Sequence, residues 1–183
     1  MKKPVFLEGR RVCLRPIDMG DMERFFCWFN DPALRRLLLL PFPTTRMGER
    51  EFIDKMVHLK DGVVLSIVVK KGGRLIGNVS LFKLQSVHRS AELGIAVADL
   101  SMASKGFGTE AMRLMLDYAF GTLNLNRVEL SVHDFNRRAL AAYRKLGFVE
   151  EGRKRQSYFC DGKYHDDIVM GILRSEWNAL KGT

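Results

Sequence analysis

The sequence predicts a mixed α/β fold, in which a mostly antiparallel mixed sheet is covered by helices on both faces. Segments with strand patterning alternate with amphipathic segments of helical length. Two pairs of strand-like segments are joined by short glycine-containing turns, which are typical of β-hairpins. The 183 residues fit a single domain spanning residues 1–183. Such an arrangement buries a sheet between layers of helices.

The N-terminal third predicts one short strand followed by helices. Residues 10–15, RRVCLR, alternate polar and apolar side chains as a strand does. Asp18 is a suitable cap for a helix through about Phe29, and Asn30-Asp31-Pro32 ends that helix and starts a shorter one. A further helix is expected from Thr44 or Thr45 through about Leu59, with four inward residues: Phe52, Ile53, Met56 and Val57.

The remaining two thirds alternate between strands and helices. Val63–Val69 and Arg74–Phe82 flank the hairpin turn Lys70-Lys71-Gly72-Gly73, and a third strand covers Ala91–Val97. A helix at about Thr109–Phe120 is apolar nearly all round, so it should be deeply buried. The later elements are strand Arg127–Val132, helix Asn136–Leu146, and a hairpin turn at Asp161-Gly162 before strand Asp167–Leu173.

The composition is that of a soluble protein in a reducing compartment. Thirty basic residues against 21 acidic ones give a formal charge of +9, which suits a nucleic acid, a membrane surface or an anionic cofactor. The three cysteines and four histidines show no metal-ligand spacing, so no metal is expected. No apolar stretch has the length of a signal peptide or a membrane span. We therefore expect a cytoplasmic protein without a membrane partner.

A glycine-containing loop between a strand and a helix is the first candidate binding site. In residues 105–109, KGFGT, the glycines allow a ligand to approach the backbone, and the helix start presents unpaired N–H groups. A pyrophosphate would fit there. Alone, the loop is explained as well by a turn that merely starts a helix. It lacks the spacings of the dinucleotide-binding and P-loop motifs.

Two motifs in order identify a family resemblance. The KGFGTEA loop and helix is followed by NRRALAAYRKLGF at residues 136–148. Together with the AELGI strand, these segments resemble the GCN5-related N-acetyltransferase (GNAT) superfamily from about Val63 to Leu173. The opening LEGRRVCLRPID and FNDP are similar to the branch that contains ribosomal-protein N-terminal and spermidine acetyltransferases. The resemblance implies the acyl-CoA N-acyltransferase fold and acetyl transfer from acetyl-CoA to a primary amine by direct attack in a ternary complex.

The resemblance also implies which residues bind coenzyme A. The pantetheine arm would bind the backbone of a strand formed by Ile95, Ala96 and Val97, one of whose N–H groups would stabilise the oxyanion. Asn136 would bind the same arm, although a helix cap explains it equally well. The pyrophosphate would lie on the loop of Ser104, Lys105, Gly106, Phe107, Gly108 and Thr109. The family usually has Arg or Gln where this chain has Ala103, so one side-chain contact to phosphate is absent and Lys105 is the nearby charge.

Two further positions correspond to the family's acid and base. Tyr143 occupies the place of the general acid that protonates the departing thiolate, and a phenol is protonated at neutral pH. Without the motif, Tyr143 would be read as a packing residue. Glu92 is the candidate general base, directly or through water, because related sequences carry a carboxylate at this strand position. A strand glutamate often forms only a salt bridge, and His88 and His133 are the next candidates.

The acceptor site is the last part of the predicted active site. In the superfamily it is built largely by the N-terminal helices and the hairpin near the C-terminus, which here offer Trp28, Asn30 and Tyr158. The segment RRLLLLPFPTTR carries no carboxylate for a polycation, which weakens the spermidine interpretation. A protein N-terminus or another small-molecule amine therefore stays open as the acceptor.

Two other classes of function are compatible with the sequence. The basic charge would suit a nucleic-acid-binding module, but no helix-turn-helix, zinc knuckle or aromatic RNA-binding signature is present. A non-catalytic acyl-CoA-binding sensor would explain Ala103, but a sensor does not need Tyr143. Sheet edges in this fold often pair across a homodimer, which no residue pattern here specifies.

Overall fold

The computed structural model of this chain describes residues 3–38 and 40–182. Within them, the strands are β1 (Leu7–Glu8), β2 (Val12–Pro16), β3 (Val63–Val69), β4 (Arg74–Gln85), β5 (Ser90–Ala96), β6 (Arg127–His133), β7 (Val149–Cys160) and β8 (Lys163–Leu173). The helices are α1 (Met22–Phe29), α2 (Pro32–Leu38), α3 (Arg46–Val57), α4 (Phe107–Asp117), α5 (Arg137–Lys145) and α6 (Arg174–Lys181). No helix among these residues is both long and apolar enough to cross a membrane.

The strands form one mixed sheet in the order β1-β2-β3-β4-β5-β6-β8-β7. Strands β5 and β6 pair in parallel, whereas β1–β2, β2–β3, β3–β4, β6–β8 and β7–β8 pair antiparallel. The predicted α/β class with a mostly antiparallel mixed sheet is therefore confirmed.

The described residues divide into two compact units. The first contains those up to Leu81 together with Gly94–Met115, and the second contains Phe82–Leu93 and those from Leu116 onward. Strands β4 and β5 and helix α4 each begin in one unit and end in the other. That the whole chain behaves as one domain stays a prediction.

In the first unit, a capped 3-10 turn precedes α1. Asp18 accepts a hydrogen bond from the backbone N–H of Gly20, as a capping residue does, and a short 3-10 turn leads into the helix. Phe25 then reaches the core, which is formed by Ile17, Phe25, Ile53, Val68 and Leu75. The prediction that Asp18 caps α1 itself was therefore wrong: Asp18 caps the 3-10 turn Met19–Asp21, and α1 begins after that turn at Met22.

The predicted inward face of α3 was partly wrong. Thr45 caps the helix, as expected, and Ile53 is fully buried. Phe52 and Val57, however, are 40% and 54% exposed. The buried face instead contains Glu49, Ile53 and the partly buried Met56, which follow one another at helical spacing. Apolar pattern alone did not fix this phase because a carboxyl side chain occupies one inward position.

The second unit contains the first part of β5, the strands β6, β8 and β7, and the C-terminal helix α6, which was not predicted. Trp177 of α6 is 1% exposed, and its indole N–H donates to Asp117 at 3.0 Å. After α4 the chain continues in a π-turn, Tyr118–Thr122, where Arg174 donates to the carbonyl oxygen of Phe120 at 2.6 Å. The deep burial predicted for α4 is confirmed at Ala111, Met112, Met115 and Leu116.

Candidate active site

The glycine loop of the first unit has the backbone conformation that a phosphate-binding loop requires. Ser104 and Gly106 adopt left-handed φ angles of 59° and 81°, and α4 begins immediately afterwards at Phe107. The carbonyl oxygen of Gly106 accepts the bond from Glu110 N at 3.1 Å, which starts the helix. The first N–H groups of a helix have no partner within it and carry the positive end of its dipole. These donors suit an anion.

Gly108 allows this loop to lie directly on the end of β5. A Cβ atom at Gly108 would be 2.9 Å from Val97 Cγ2 and 3.6 Å from Ile95 Cδ1. A larger residue would push the loop away from the strand. The structure therefore brings together the predicted cofactor-binding residues Ile95 and Val97 and the predicted pyrophosphate loop.

A second close approach involves Ala96 on the same strand. A Cβ atom at Gly77 would lie 1.9 Å from the carbonyl oxygen of Ala96. The backbone N–H of Asp99, just beyond the strand, donates to Ile76 O at 3.0 Å. Ala96 is thereby held against β4, while Ile95, Ala96 and Val97 remain partly accessible.

Arg11 anchors the loop, which the sequence did not reveal. Its Nη1 donates to the carbonyl oxygen of Lys105 at 3.1 Å, and its Nε donates to Glu110 Oε2 at 3.0 Å. The guanidinium lies 5.0 Å from the centroid of the Phe107 ring, a cation–π arrangement. Its Nη2 lies 2.9 Å from where a Cβ of Gly106 would be. A cationic side chain therefore borders the loop in which Ala103 replaces the usual Arg or Gln.

Glu110 connects this loop to β2. Its Oε1 accepts hydrogen bonds from the backbone N–H groups of Arg11 at 2.7 Å and Val12 at 3.3 Å. Burial by itself would raise the pKa of Glu110, but these bonds and the Arg11 side chain hold that pKa below its ordinary value. The carboxylate is therefore charged at neutral pH and available to Arg11.

In the second unit, α5 carries Tyr143, and Asn136 directly precedes its first residue. Asn136 Oδ1 accepts from Ala139 N at 3.2 Å, so this side chain caps the helix. Tyr143 is only 8% exposed, and its ring meets Phe148 edge to face at a centroid distance of 5.9 Å. Burial raises the pKa of Tyr143 to about 12. Its phenol therefore keeps its proton throughout the neutral range.

Glu92 lies on β5 in an ion pair. Its Oε1 accepts from Lys83 Nζ at 2.6 Å, and its side chain is 40% exposed. The hydrogen bond from Lys83 raises the pKa of that lysine, which keeps its charge. The carboxylate of Glu92 is thus engaged by a cation at the surface of the second unit.

The three predicted acceptor residues have different surroundings. Trp28 packs against the core of the first unit, with its ring 5.7 Å from that of Phe25. Asn30 uses both ends of its amide for the backbone of Thr44, and it also donates to Phe26 O. Tyr158, in the second unit, lies with its ring 4.5 Å from the ring of His133. Internal contacts thus already explain Trp28 and Asn30, and contact with an acceptor stays a prediction for all three.

The residues present fit acetyl-CoA and do not form a metal centre. The loop offers backbone donors, a close approach at Gly106 and a neighbouring guanidinium, which together suit a pyrophosphate. Partly accessible apolar residues at the end of β5 suit an extended arm. Within residues 3–38 and 40–182, no three His, Cys, Asp or Glu side chains are grouped as metal ligands.

Comparison with known proteins agrees with this chemistry. The model of the GNAT acetyltransferase domain family matches residues 11–149. Spermidine N(1)-acetyltransferase from Escherichia coli K12 is 32% identical over 168 residues, which cover 92% of this chain and 89% of that protein. The Vibrio cholerae enzyme of the same name is 37% identical over 168 residues, covering 91% and 95%.

A solved structure extends the likeness to three dimensions. The crystal structure of Vibrio cholerae spermidine N-acetyltransferase in complex with CoA and spermine has a TM-score of 0.84 and 30% identity, and covers 92% of this chain and 98% of that one. The predicted resemblance, enzyme class and acetyl-CoA co-substrate are thereby confirmed. This chain belongs to the GNAT acetyltransferase family.

Proposed function

We propose that this protein transfers the acetyl group of acetyl-CoA to a primary amine, by direct attack while both substrates are bound to the one domain of residues 1–183. The observation that carries the proposal is the loop at Gly106, whose backbone conformation, helix start and bordering Arg11 suit a pyrophosphate. Family membership supplies the reaction class. The similar proteins are named as acetyltransferases, which favours an enzyme over a non-catalytic sensor.

In this proposal the first unit binds the cofactor. The backbone N–H groups of residues 104–109 bind the pyrophosphate, and Arg11 and Lys105 contribute the charge that Ala103 lacks. The pantetheine arm lies along Ile95, Ala96 and Val97. A backbone N–H of this strand donates to the developing oxyanion, an effect worth about 2.7–4 kcal/mol when such a donor is lost. Asn136 contributes mainly by starting α5.

Tyr143 acts at the leaving sulfur. The amine nitrogen forms a bond to the acyl carbon, the C–S bond breaks, and the sulfur leaves as a thiolate. Because the pKa of Tyr143 is raised to about 12, and a thiol ordinarily has a pKa of about 8.5, complete proton transfer from the phenol is uphill. We therefore infer that Tyr143 stabilises the departing thiolate by hydrogen bonding, with the final proton supplied through the phenol from solvent.

The remaining role in this scheme is that of the general base, which accepts a proton from the amine. Glu92 is the residue that the sequence predicts, but its carboxylate is already bound to Lys83 at 2.6 Å. To accept a proton, Glu92 must give up part of that ion pair or act through water.

The acceptor is a primary amine, either of a small molecule or at a protein N-terminus, and Trp28, Asn30 and Tyr158 stay the predicted contacts. The similarity to spermidine acetyltransferases makes spermidine the first acceptor to test. A peptide amide with a free N-terminus is the second. Cytoplasmic location, a homodimer and the absence of a nucleic-acid partner remain predictions from the sequence.

Calorimetric titration with acetyl-CoA, followed by release of coenzyme A with each amine, tests the proposal. We expect wild type and Tyr143→Phe to bind alike, and Tyr143→Phe to lose about 100-fold in kcat. Gly106→Glu should lose binding, because its side chain meets Arg11 and adds a negative charge to the anion site. The matched control is Gly72→Glu, at a φ of 83° in a turn where a Cβ meets no atom within 4 Å. Equal binding by both glycine variants, or no wild-type binding, would reject the site.

A further inference from the structure

A cluster of aromatic, imidazole and carboxylate side chains lies where β6 ends, and the proposed scheme uses only one of its members, Tyr158, as a predicted acceptor contact. We call it the His133 cluster, formed by His133, Asp134, Phe135, Tyr158, His165 and Asp167. The β6–β8 register places His133 opposite Asp167, and the β7–β8 register places Tyr158 opposite His165. All six residues belong to the second unit.

The rings of the cluster surround His133. The ring of Tyr158 is 4.5 Å from that of His133, centroid to centroid, and the ring of Phe135 stacks on it at 5.7 Å. Phe135 also meets the ring of His165 edge to face at 4.7 Å. Aromatic faces beside carboxylates are a suitable environment for an ammonium group, because both attract a cation.

The polar atoms of the cluster are unequally satisfied. His165 Nδ1 and Asp134 Oδ1 are hydrogen-bonded at 3.0 Å. In contrast, His133 Nδ1 and Asp167 Oδ1 are both buried and, in the described part of the chain, have no hydrogen-bond partner. These two atoms face each other at 3.7 Å. An unpaired buried polar atom costs about 1–3 kcal/mol, so a shift of a few tenths of an ångström that pairs them is favourable.

We propose that His133 is the general base for the acceptor amine, oriented by Asp167, with Tyr158 and Phe135 forming the wall against which the ammonium group lies. This inference rests on the proposed acetyl transfer. When His133 Nδ1–H donates to Asp167 Oδ1, the lone pair of Nε2 is free to accept a proton. The arrangement fixes the tautomer that a base requires.

The proton balance is complete with the groups named. Nε2 takes one proton from the ammonium ion and later releases it to solvent. The free amine forms the C–N bond as the C–S bond breaks. The second proton lost by nitrogen balances the one gained by the thiolate, so the products are the amide, coenzyme A and one released proton.

The charges around His133 favour its neutral form. Burial lowers the pKa of His133, the carboxylates of Asp167 and Asp134 oppose that shift, and His165 adds to it. Lys154 Nζ on β7 lies 3.8 Å from Asp167 Oδ2 and offsets part of that carboxylate's charge. The net lowering means that His133 is unprotonated at neutral pH and able to act as a base. Glu92, in contrast, is partly exposed and bound to Lys83.

The pH dependence of kcat/KM for spermidine, measured at saturating acetyl-CoA, distinguishes His133 from Glu92 as the base. If only the peptide amide is acetylated, it replaces spermidine in this assay. In wild type, log kcat/KM should rise through the pKa of His133 and then level off until the amine itself titrates. His133→Gln should lose at least 100-fold at pH 7. Its log kcat/KM should then rise by one unit per pH unit without levelling, because only amine that is already neutral reacts.

Three further variants complete the test. Asp167→Asn should lower the plateau and move the acid limb to lower pH, because it removes a carboxylate that raises the pKa of His133. Glu92→Gln should still show the acid limb of wild type, because that limb reports the titration of His133. His58→Gln, whose side chain is 73% exposed on the first unit, controls for loss of a histidine and should leave the profile unchanged. Acetyl-CoA affinity, measured on every variant, verifies that each protein is folded.

The outcomes separate this inference from the proposed function. If wild type releases no coenzyme A with either amine, the proposed acetyl transfer fails. If wild type is active and His133→Gln keeps its plateau, or Glu92→Gln loses the acid limb, only the assignment of His133 is overturned. Should His133→Gln fail to bind acetyl-CoA, the direction in which the Asp167→Asn limb moves decides the question.

Discussion

Glu49→Gln tests how burial controls the ionisation of a carboxyl group on α3. Glu49 is 2% exposed, and its Oε1 has no hydrogen-bond partner within the residues that the structure describes. Burial raises the pKa of Glu49 from 4.5 to about 7, because a charged carboxylate loses its hydration there. In the unfolded chain the same group titrates near its ordinary value. Folding therefore changes its proton affinity, and stability must depend on pH.

The direction and the size of the pH dependence of stability follow from the difference between the pKa of Glu49 in the folded protein and in the unfolded chain. Between the two pKa values the folded protein binds more protons at Glu49 than the unfolded chain, so the free energy of unfolding falls as pH rises. The contribution of this proton binding to the free energy of unfolding is fully present below pH 4.5, and it is lost as pH rises through about 7. Converted at 1.36 kcal/mol per pKa unit, the difference is worth about 3 kcal/mol. Glutamine has the same shape and no such titration.

Urea unfolding of wild type and Glu49→Gln from pH 4.5 to 8 measures the effect. The variant's free energy of unfolding should gain about 3 kcal/mol relative to wild type across that range, whatever their difference at pH 4.5. Glu51→Gln, an exposed change on the same helix, should keep a constant difference from wild type. A difference for Glu49→Gln that is independent of pH, or that shifts in favour of wild type as pH rises, would refute the reasoning.

Three other substitutions test the supports of the site. Arg11→Ala removes the hydrogen bonds to Lys105 O and Glu110. In a coenzyme A-release assay, its KM for acetyl-CoA should therefore rise several-fold with kcat little changed. The control is Arg10→Ala, a change at an exposed position, which should have no effect in the same assay. Gly77→Ala would place a Cβ 1.9 Å from Ala96 O, and urea unfolding should show a loss of about 1–3 kcal/mol together with weaker calorimetric binding of acetyl-CoA. Trp177→Phe loses its hydrogen bond to Asp117 and should lower the free energy of urea unfolding by about 1.5–3 kcal/mol.

The parts of the fold that the sequence predicted best have local causes. Strand β3 has the predicted bounds, Val63–Val69, because a run of β-branched residues stops at a turn that contains two glycines. Helix α5 has the predicted caps because Asn136 and Gly147 satisfy its ends. Helix α6 was missed: it follows β8 without an intervening turn, and Trp177 is covered only through tertiary packing.

The candidate site also contains some residues that a local sequence motif identifies and others that only the tertiary structure brings together. The sequence predicts the Gly106 loop and the position of Tyr143 because each belongs to a contiguous motif. The anchor between Arg11 and Glu110 joins residues 99 positions apart, and no local pattern marks it. It exists because β2 passes beside the start of α4, so that a carboxylate in the first helical turn meets two strand N–H groups. Only the tertiary structure shows that Arg11 brings a positive charge to the loop in which Ala103 replaces the usual Arg or Gln.

The His133 cluster depends on strand order even more directly. Strands β7 and β8 form a hairpin, and either of them could have been the neighbour of β6. Because β8 is the neighbour, the register from Arg127–Leu173 to His133–Asp167 ends with a carboxylate opposite the imidazole. A slip of one residue would turn these side chains to opposite faces of the sheet, since side chains alternate along a strand. That register is held by buried apolar residues farther along the same two strands, Val128, Leu130, Val132, Ile168, Met170 and Ile172. The pairing of His133 with Asp167 is therefore set by hydrophobic packing several residues away, so a substitution there that shifts the register should affect the proposed base before it affects the cofactor loop.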